Sequence, residues 1–166
     1  MRQKNLNNRF YSEPANISCT PSSIIDIHLE FHDVVKSNNH IISKNWYSKF
    51  NSLLTLCSYE PSLEKSPPIL VVGEKASQRL LFGNAWADNV IDQETTPDPE
   101  LEMLSCQAYY QAFKANISEP EICFASVNNG VENKQVCYYR TVAHVKSRKG
   151  FSFFAYFGTL KDHPFQ

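Results

Sequence analysis

Several things are scarce in this 166-residue chain, and each scarcity excludes a class of protein. Cysteine occurs five times, at Cys19, Cys57, Cys106, Cys123 and Cys137, an odd number with no Cys-x-x-Cys pair. That pattern excludes a secreted disulfide framework and a zinc ribbon, and predicts reduced core thiols. The five glycines form no Gly-x-Gly-x-x-Gly, no phosphate-binding P-loop and no Gly-x-Ser-x-Gly elbow, so nucleotide or acyl-transfer chemistry has no backbone cradle. Charge of one sign is missing too. Sixteen Lys and Arg against seventeen Asp and Glu leave a net charge of -1, too balanced for a protein that works on nucleic-acid backbones or anionic membrane. No run approaches the roughly eighteen apolar residues of a membrane span. Arg2, Lys4 and Arg9 are followed by no apolar stretch, so neither a leader nor membrane insertion is expected and the expected location is cytoplasmic.

What is present is ordinary for one folded domain: 42% hydrophobic, 20% charged and 13% aromatic residues. Residues 1–20 are rich in Asn, Ser and Pro and read as a flexible N-terminal arm; residues 21–50 read as an N-terminal helical segment, and 51–162 as the main domain. Within the second segment Ile24, Ile27, Phe31, Val34 and Val35 recur at helical spacing behind Thr20-Pro21-Ser22-Ser23, which offers a cap and a first-turn proline. His28 and His32 are four apart on that helix. With no third ligand identifiable, they read as the polar side of an amphipathic helix.

Residues 53–59 and 69–73 are short, apolar and strand-like. Residues 75–82 are helix formers ending at Gly83, and a long helix is expected over 100–116. Residues 121–127, 136–146 and 151–160 are β-branched and aromatic, separated by Asn128-Asn129-Gly130 and by Ser147-Arg148-Lys149-Gly150, so three hairpin strands close the chain. The expected class is α+β, an antiparallel sheet with helices gathered on one face.

The stretch Lys149-Gly150-Phe151-Ser152-Phe153 superficially matches the base-stacking strand of RNA-recognition motifs. That motif needs a further helix and strand after it, so a hairpin turn feeding a buried aromatic strand is expected instead, and no nucleic-acid partner. Both alternating sets of the last strand are apolar, so the sheet is expected to be covered on both faces or in part by a partner. In the preceding strand Cys137, Tyr139, Thr141, Ala143 and Val145 form the more apolar set and are assigned to the main helices. Tyr138, Arg140, Val142 and His144 are assigned to the opposite side.

The run Ile69-Leu70-Val71-Val72-Gly73-Glu74-Lys75-Ala76-Ser77-Gln78-Arg79-Leu80-Leu81-Phe82-Gly83, continuing to Asp88 and Asp92, resembles the PAS family of sensory domains: an apolar strand, a short helix, a glycine and an acidic turn. The long helix and three closing strands are similar as well, over about residues 50–161. The resemblance implies a five-stranded antiparallel sheet with helices on one face and an N-terminal helix. It implies a non-enzymatic module of bacterial signal transduction that binds a small apolar or aromatic ligand or a signalling partner such as a sensor kinase, with a homodimer as a further possibility. Flavin-binding members carry Asn-Cys-Arg-Phe, whereas Cys106 stands between Ser105 and Gln107; haem-binding members supply a histidine from the long helix, and residues 100–116 hold none. Neither flavin nor haem is therefore implied.

On this plan Phe82, Trp86, Tyr109, Phe113, Tyr139 and Phe153 would line the pocket, while Tyr138, Phe154 and Tyr156, on the other side of the sheet, would form an interface. The alternative is a small curved-sheet enzyme or cavity-bearing protein of the nuclear transport factor 2-like kind, for which His144 with Asp88 or Asp92 is the one acid/base pair that can be constructed. Two strands ahead of the main helix favour the PAS-like order. An adaptor with a filled core is the third possibility, separated from the first by whether the pocket is empty.

Overall fold

A computed structural model describes residues 9–16, 20–93 and 95–161, without the side chain of Asp92. Six strands form one antiparallel sheet: β1 (Phe10–Pro14), β2 (Leu54–Ser58), β3 (Ile69–Val72), β4 (Glu121–Asn128), β5 (Asn133–Lys146) and β6 (Ser152–Leu160), in the order β1-β4-β5-β6-β2-β3. The sixth strand is the difference from expectation. It comes from the segment read as an arm, where Phe10 to Pro14 pair with β4 from Ala125 to Glu121 and Phe10 is buried. An Asn- and Pro-rich stretch shows no period of its own, so a strand held by its neighbour leaves little trace in sequence.

Among the described residues seven α-helices pack on the sheet. α1 (Ser22–Ser37) and α2 (Lys44–Phe50) precede β2, and a single 3₁₀ turn joins α2 to it. Pro21 occupies the cap position of α1 with no side-chain bond, so the expected Ser/Thr cap is not used; Ser43 does cap α2, accepting from the Trp46 amide at 3.3 Å. Between β3 and β4 run α3 (Ser77–Phe82), α4 (Asn84–Asp88), α5 (Val90–Gln93), α6 (Pro99–Ser105) and α7 (Gln107–Ala115). Gly83, at φ 90°, turns α3 directly into α4, a conformation a side chain would strain.

The long helix expected over 100–116 is two helices broken at Cys106. The cause is local. The Tyr109 amide bonds the Cys106 carbonyl, three residues back, and the Ser105 carbonyl instead accepts from Arg140 Nη1 at 2.8 Å. A buried arginine on β5 thus takes the acceptor that would have continued the helix.

The two faces of the sheet carry separate cores. Phe31, Val35, Trp46 and Phe50 of α1 and α2 pack with Leu54, Ala143, Val145, Ala155 and Phe157. On the other face Trp86, Ala87, Ala108, Tyr109 and Ala112 pack with Cys57, Ile69, Val142, Phe154 and Tyr156. The facing of β5 and β6 is therefore opposite to the one assigned from hydrophobicity: Tyr139, Thr141, Ala143 and Val145 look toward α1, and Tyr138, Arg140, Val142 and His144 toward α3–α7. With both faces buried, the relative apolarity of the two sets carries little information about which helices each meets. Around β5 and β6 the sheet is covered on both sides by the chain's own helices, whereas alternate residues of β4, such as Phe124, are exposed. Among the described residues no helix is long and apolar enough to cross a membrane.

Candidate functional site

A pocket of about 50 Å³ lies between the sheet and the helical layer, walled among others by Gln78, Phe82, Glu102, Tyr109, Tyr138, Arg140 and Tyr156. Each element delivers its part. α3 brings Gln78 and Phe82, α6 brings Glu102, α7 brings Tyr109, and the alternate residues of β5 and β6 bring Tyr138, Arg140 and Tyr156.

Arg140 sets the electrostatics. It is 2% exposed, its Nε donates to Glu121 Oε1 at 3.0 Å, and its guanidinium lies 5.2 Å from the Phe10 ring centre. A buried charge needs such a partner, and this ion pair is nearly dry on both sides. Glu102 has no such cation. Burial pushes its carboxyl up to about 7, against the opposing pull of the bonds it receives from Thr96, whose amide lies 2.7 Å from Oε1. Gln78 is orphaned: its Oε1 is buried and makes no hydrogen bond. The Tyr109 hydroxyl lies 3.8 Å from Cys57 Sγ, and burial raises both groups, the thiol to about 12.

Of the residues expected to line a pocket, Phe82 and Tyr109 do. Trp86 packs edge-on against Phe82 at 5.2 Å while its indole donates to the Thr95 carbonyl, one layer behind the wall. Phe113 is 40% exposed, beside Tyr59 and Tyr110. Tyr139 and Phe153 lie on the opposite face of the sheet, Tyr139 6.5 Å from the His28 ring and Phe153 against the α1–α2 core. Tyr138, Phe154 and Tyr156, expected at an interface, are buried beneath α3–α7, and two of them line the pocket. The reversal follows from the facing of β5 and β6. What hydrophobicity missed were the polar members, Gln78, Glu102 and Arg140. The available signal was Arg140 itself, an arginine within an otherwise apolar strand.

His28 does not lie on the polar side of α1, and His32 is half-buried with its Nε2 unpartnered. His28 is 1% exposed and bridges two hydroxyls of the sheet, Thr141 Oγ1 at 2.9 Å and Thr159 Oγ1 at 3.0 Å, with its ring 4.4 Å from that of Phe157. Burial lowers its pKa to about 3. His144 does not meet Asp88, which pairs with Arg79 on the surface; Asp92's side chain lies outside the described residues. Instead His144 contacts Ser152 Oγ at 2.9 Å and stacks on Tyr59 at 4.2 Å. Cys57, Cys106 and Cys123 are buried thiols outside any disulfide and Cys137 is partly buried, while Cys19 lies outside the described residues. Among the described residues no cluster of three potential metal ligands forms.

A larger and more open groove of about 660 Å³ runs between β1 and α7, with Glu13, Glu119 and Glu121 in its wall. Glu121 belongs to this groove and Arg140 to the inner pocket, so the ion pair spans the wall between them. The inner pocket is the stronger candidate despite its size, because its wall includes Gln78, whose buried Oε1 has no partner as His32 Nε2 and Thr55 Oγ1 elsewhere have none, together with the raised carboxyl of Glu102 and the buried Arg140. The chain matches no family model, no curated protein and no solved structure. Its function is therefore argued from this geometry.

Proposed function

We propose that this chain is a non-enzymatic, PAS-like sensory module that holds a small ligand between its sheet and α3–α7 and reports occupancy to a signalling protein such as a sensor kinase. The element order supports this reading: two strands, short helices, a helical stretch at 99–115, and three closing strands in antiparallel array. The observation that carries it is the pocket itself, which lies between the sheet and short helices and mixes the polar Gln78, Glu102 and Arg140 with apolar walls. Burying Gln78 Oε1 without a partner and an acid as basic as Glu102 costs stability, and such costs gather where a ligand repays them. Five short helices give the cover little cooperative rigidity of its own, so a bound molecule can shift the balance between two packings of α3 and α6.

Native mass spectrometry of the purified protein tests this in one spectrum. A reproducible adduct that is lost on denaturation is the expected result, with the subunit count read from the same spectrum for the homodimer that the resemblance implies. A clean apo spectrum from several expression conditions, with α3–α7 unmoved by any added small molecule, would leave the filled adaptor as the better reading.

A further inference from the structure

We propose that the groove between β1 and α7 receives an extended, lysine- or arginine-bearing segment of another protein, which adds to the free edge of β1 as a further strand. The proposal goes beyond the inner pocket and needs no molecule bound there.

The backbone supplies the first argument. β1 ends the sheet order, and on its outer side no strand follows among the described residues. The Ser126 amide donates to the Arg9 carbonyl and the Ala15 amide to the Pro120 carbonyl, so Arg9, Tyr11, Glu13 and Ala15 turn their peptide groups toward β4. Phe10, Ser12 and Pro14 therefore turn theirs outward. That row offers an N–H and a carbonyl at Phe10, the same pair at Ser12, and a carbonyl alone at Pro14. An extended chain answers this alternation of donors and acceptors, whereas a polyamine has donors only.

Space is the second argument. The groove, of about 660 Å³, touches every residue of β1 from Phe10 to Pro14, and so follows the strand over its length of about 17 Å. Its far wall includes Gln107, Gln111 and Ala115, four apart on one stripe of α7. Both glutamines are exposed, with amides free to bond a docked segment.

Charge selects the segment. Three carboxylates, Glu13, Glu119 and Glu121, line the groove and no lysine or arginine does. Arg140 compensates Glu121. Glu13 and Glu119 are exposed and make no ion pair among the described residues. The Tyr11 hydroxyl donates to Glu13 Oε2 at 2.5 Å, which orients that carboxylate without cancelling its charge. Among the described residues no acids gather closely enough to hold a metal ion. A second copy of this chain would bring its own Glu13 and Glu119 to the same place, and like charges oppose that pairing. A basic strand meets both the edge and the charge.

The probe is an acetylated, amidated heptapeptide, Lys-Thr-Lys-Thr-Lys-Thr-Lys, titrated into the full chain with ¹H–¹⁵N spectra and amide hydrogen exchange as readouts. Saturable shifts of the Phe10 and Ser12 amides and slower exchange of both are expected, with affinity falling as salt rises. The same peptide with glutamate for lysine should bind at least tenfold more weakly. Glu13→Gln with Glu119→Gln, both at exposed positions, should weaken the lysine peptide by about tenfold. Two N-methylated forms, blocked at the lysine or at the threonine nitrogens, keep the charge; the one whose blocked nitrogens face β1 should lose at least tenfold.

Absence of saturable binding by the lysine peptide would overturn the proposal. So would equal affinity of the parent and both N-methylated forms, or the same shifts from spermidine, since either would make the groove a site for polycations and not for a strand. Shifts confined to Val71 and its neighbours would move the docking edge to β3. Protection of Phe10 and Ser12 in a dimer formed without peptide would make a second copy the occupant. None of these results bears on the inner pocket, whose test is the native mass spectrum.

Discussion

The two faces of the sheet are made from the same strands and solve opposite problems. Toward α1 and α2, β5 and β6 present Tyr139, Thr141, Ala143 and Val145 with Phe153, Ala155 and Phe157, and these meet Phe31, Trp46 and Phe50 in a core whose polar group, His28, has a partner on each ring nitrogen. Toward α3–α7 the alternate residues include Tyr138, Arg140 and Tyr156, and the layer over them leaves a pocket with an unpartnered amide oxygen. One face is filled, although His32 Nε2 on α1 is buried without a partner; the other is incomplete, with polar and apolar groups sharing the wall of its pocket. If the proposed ligand pocket is real, stability and recognition fall to different sides of one sheet, and each should respond differently to substitution.

The largest effect is expected on the filled face. Phe157 is 1% exposed and its ring lies 4.4 Å from His28, 5.2 Å from Phe31 and 5.8 Å from Phe50. Phe157→Ala removes the ring that three neighbours share, and the rigid sheet beneath cannot collapse into the space. A loss of about 4 kcal/mol in denaturant unfolding is expected. A loss below about 1 kcal/mol would show that α1 does not rest on the sheet as described.

On the other face the comparable weak point is electrostatic. Glu121→Ala leaves the Arg140 guanidinium buried without its carboxylate, at an expected cost of about 3 kcal/mol, because desolvation of the remaining charge is then uncompensated. Replacing both by Arg140→Met and Glu121→Met should recover much of that loss, since a buried ion pair is worth little against apolar groups of similar volume. A double variant as unstable as the single one would mean that the Ser105 carbonyl and the helix break at Cys106 depend on Arg140 for more than charge balance.

The filled face also carries a pH dependence of its own. His28 has a folded pKa of about 3 against 6.5 when unfolded, because burial disfavours its charged form. The unfolded chain therefore takes up the proton first. The stability this neutral ring contributes is complete above about pH 6.5 and declines as pH falls toward 3, by on the order of 1 kcal/mol per pH unit. Glu102, whose carboxyl is raised to about 7, acts in the opposite sense over this range, so the His28 contribution is read as a difference: followed at pH 6.5, 5.5 and 4.5, the stability of the native chain should fall relative to that of His28→Leu as pH falls. Equal slopes would place the acid sensitivity elsewhere.

How far the sequence reveals this division depends on the type of signal. The strands and helices over 22–37, 54–72 and 121–160 are legible because period, turn residues and apolar runs are local. Strand β1 is not, since its order comes from pairing with β4. The facing of β5 was inverted because both of its sides are buried, and apolarity distinguishes a buried side from a wet one, not one interior from another. The same blindness hid His28: a histidine among Ile24, Phe31 and Val35 is read as polar until the hydroxyls of Thr141 and Thr159, more than a hundred residues away, come into contact. Phe82 and Tyr109 were found because aromatic residues on helices point to a core; Gln78 and Glu102 were not, because on a short surface helix a polar residue is unremarkable.

The smallest expected effect has the opposite sign, and it sharpens the comparison most. On the filled face every truncation should destabilise. Gln78→Leu on the pocket face removes an amide oxygen that is desolvated and unbonded in the ligand-free protein, at nearly constant volume, and places apolar atoms beside Phe82 and Tyr109. The unpaid desolvation disappears with it, so ligand-free stability should be unchanged or rise by up to about 1 kcal/mol. A gain in stability from deleting a polar group is what a site held ready for a ligand gives, whereas a purely structural amide would give a loss. Thermal unfolding of the ligand-free protein decides between them: a fall of more than about 1 kcal/mol would put Gln78 among the groups that hold the fold together and return this face to the same role as the other.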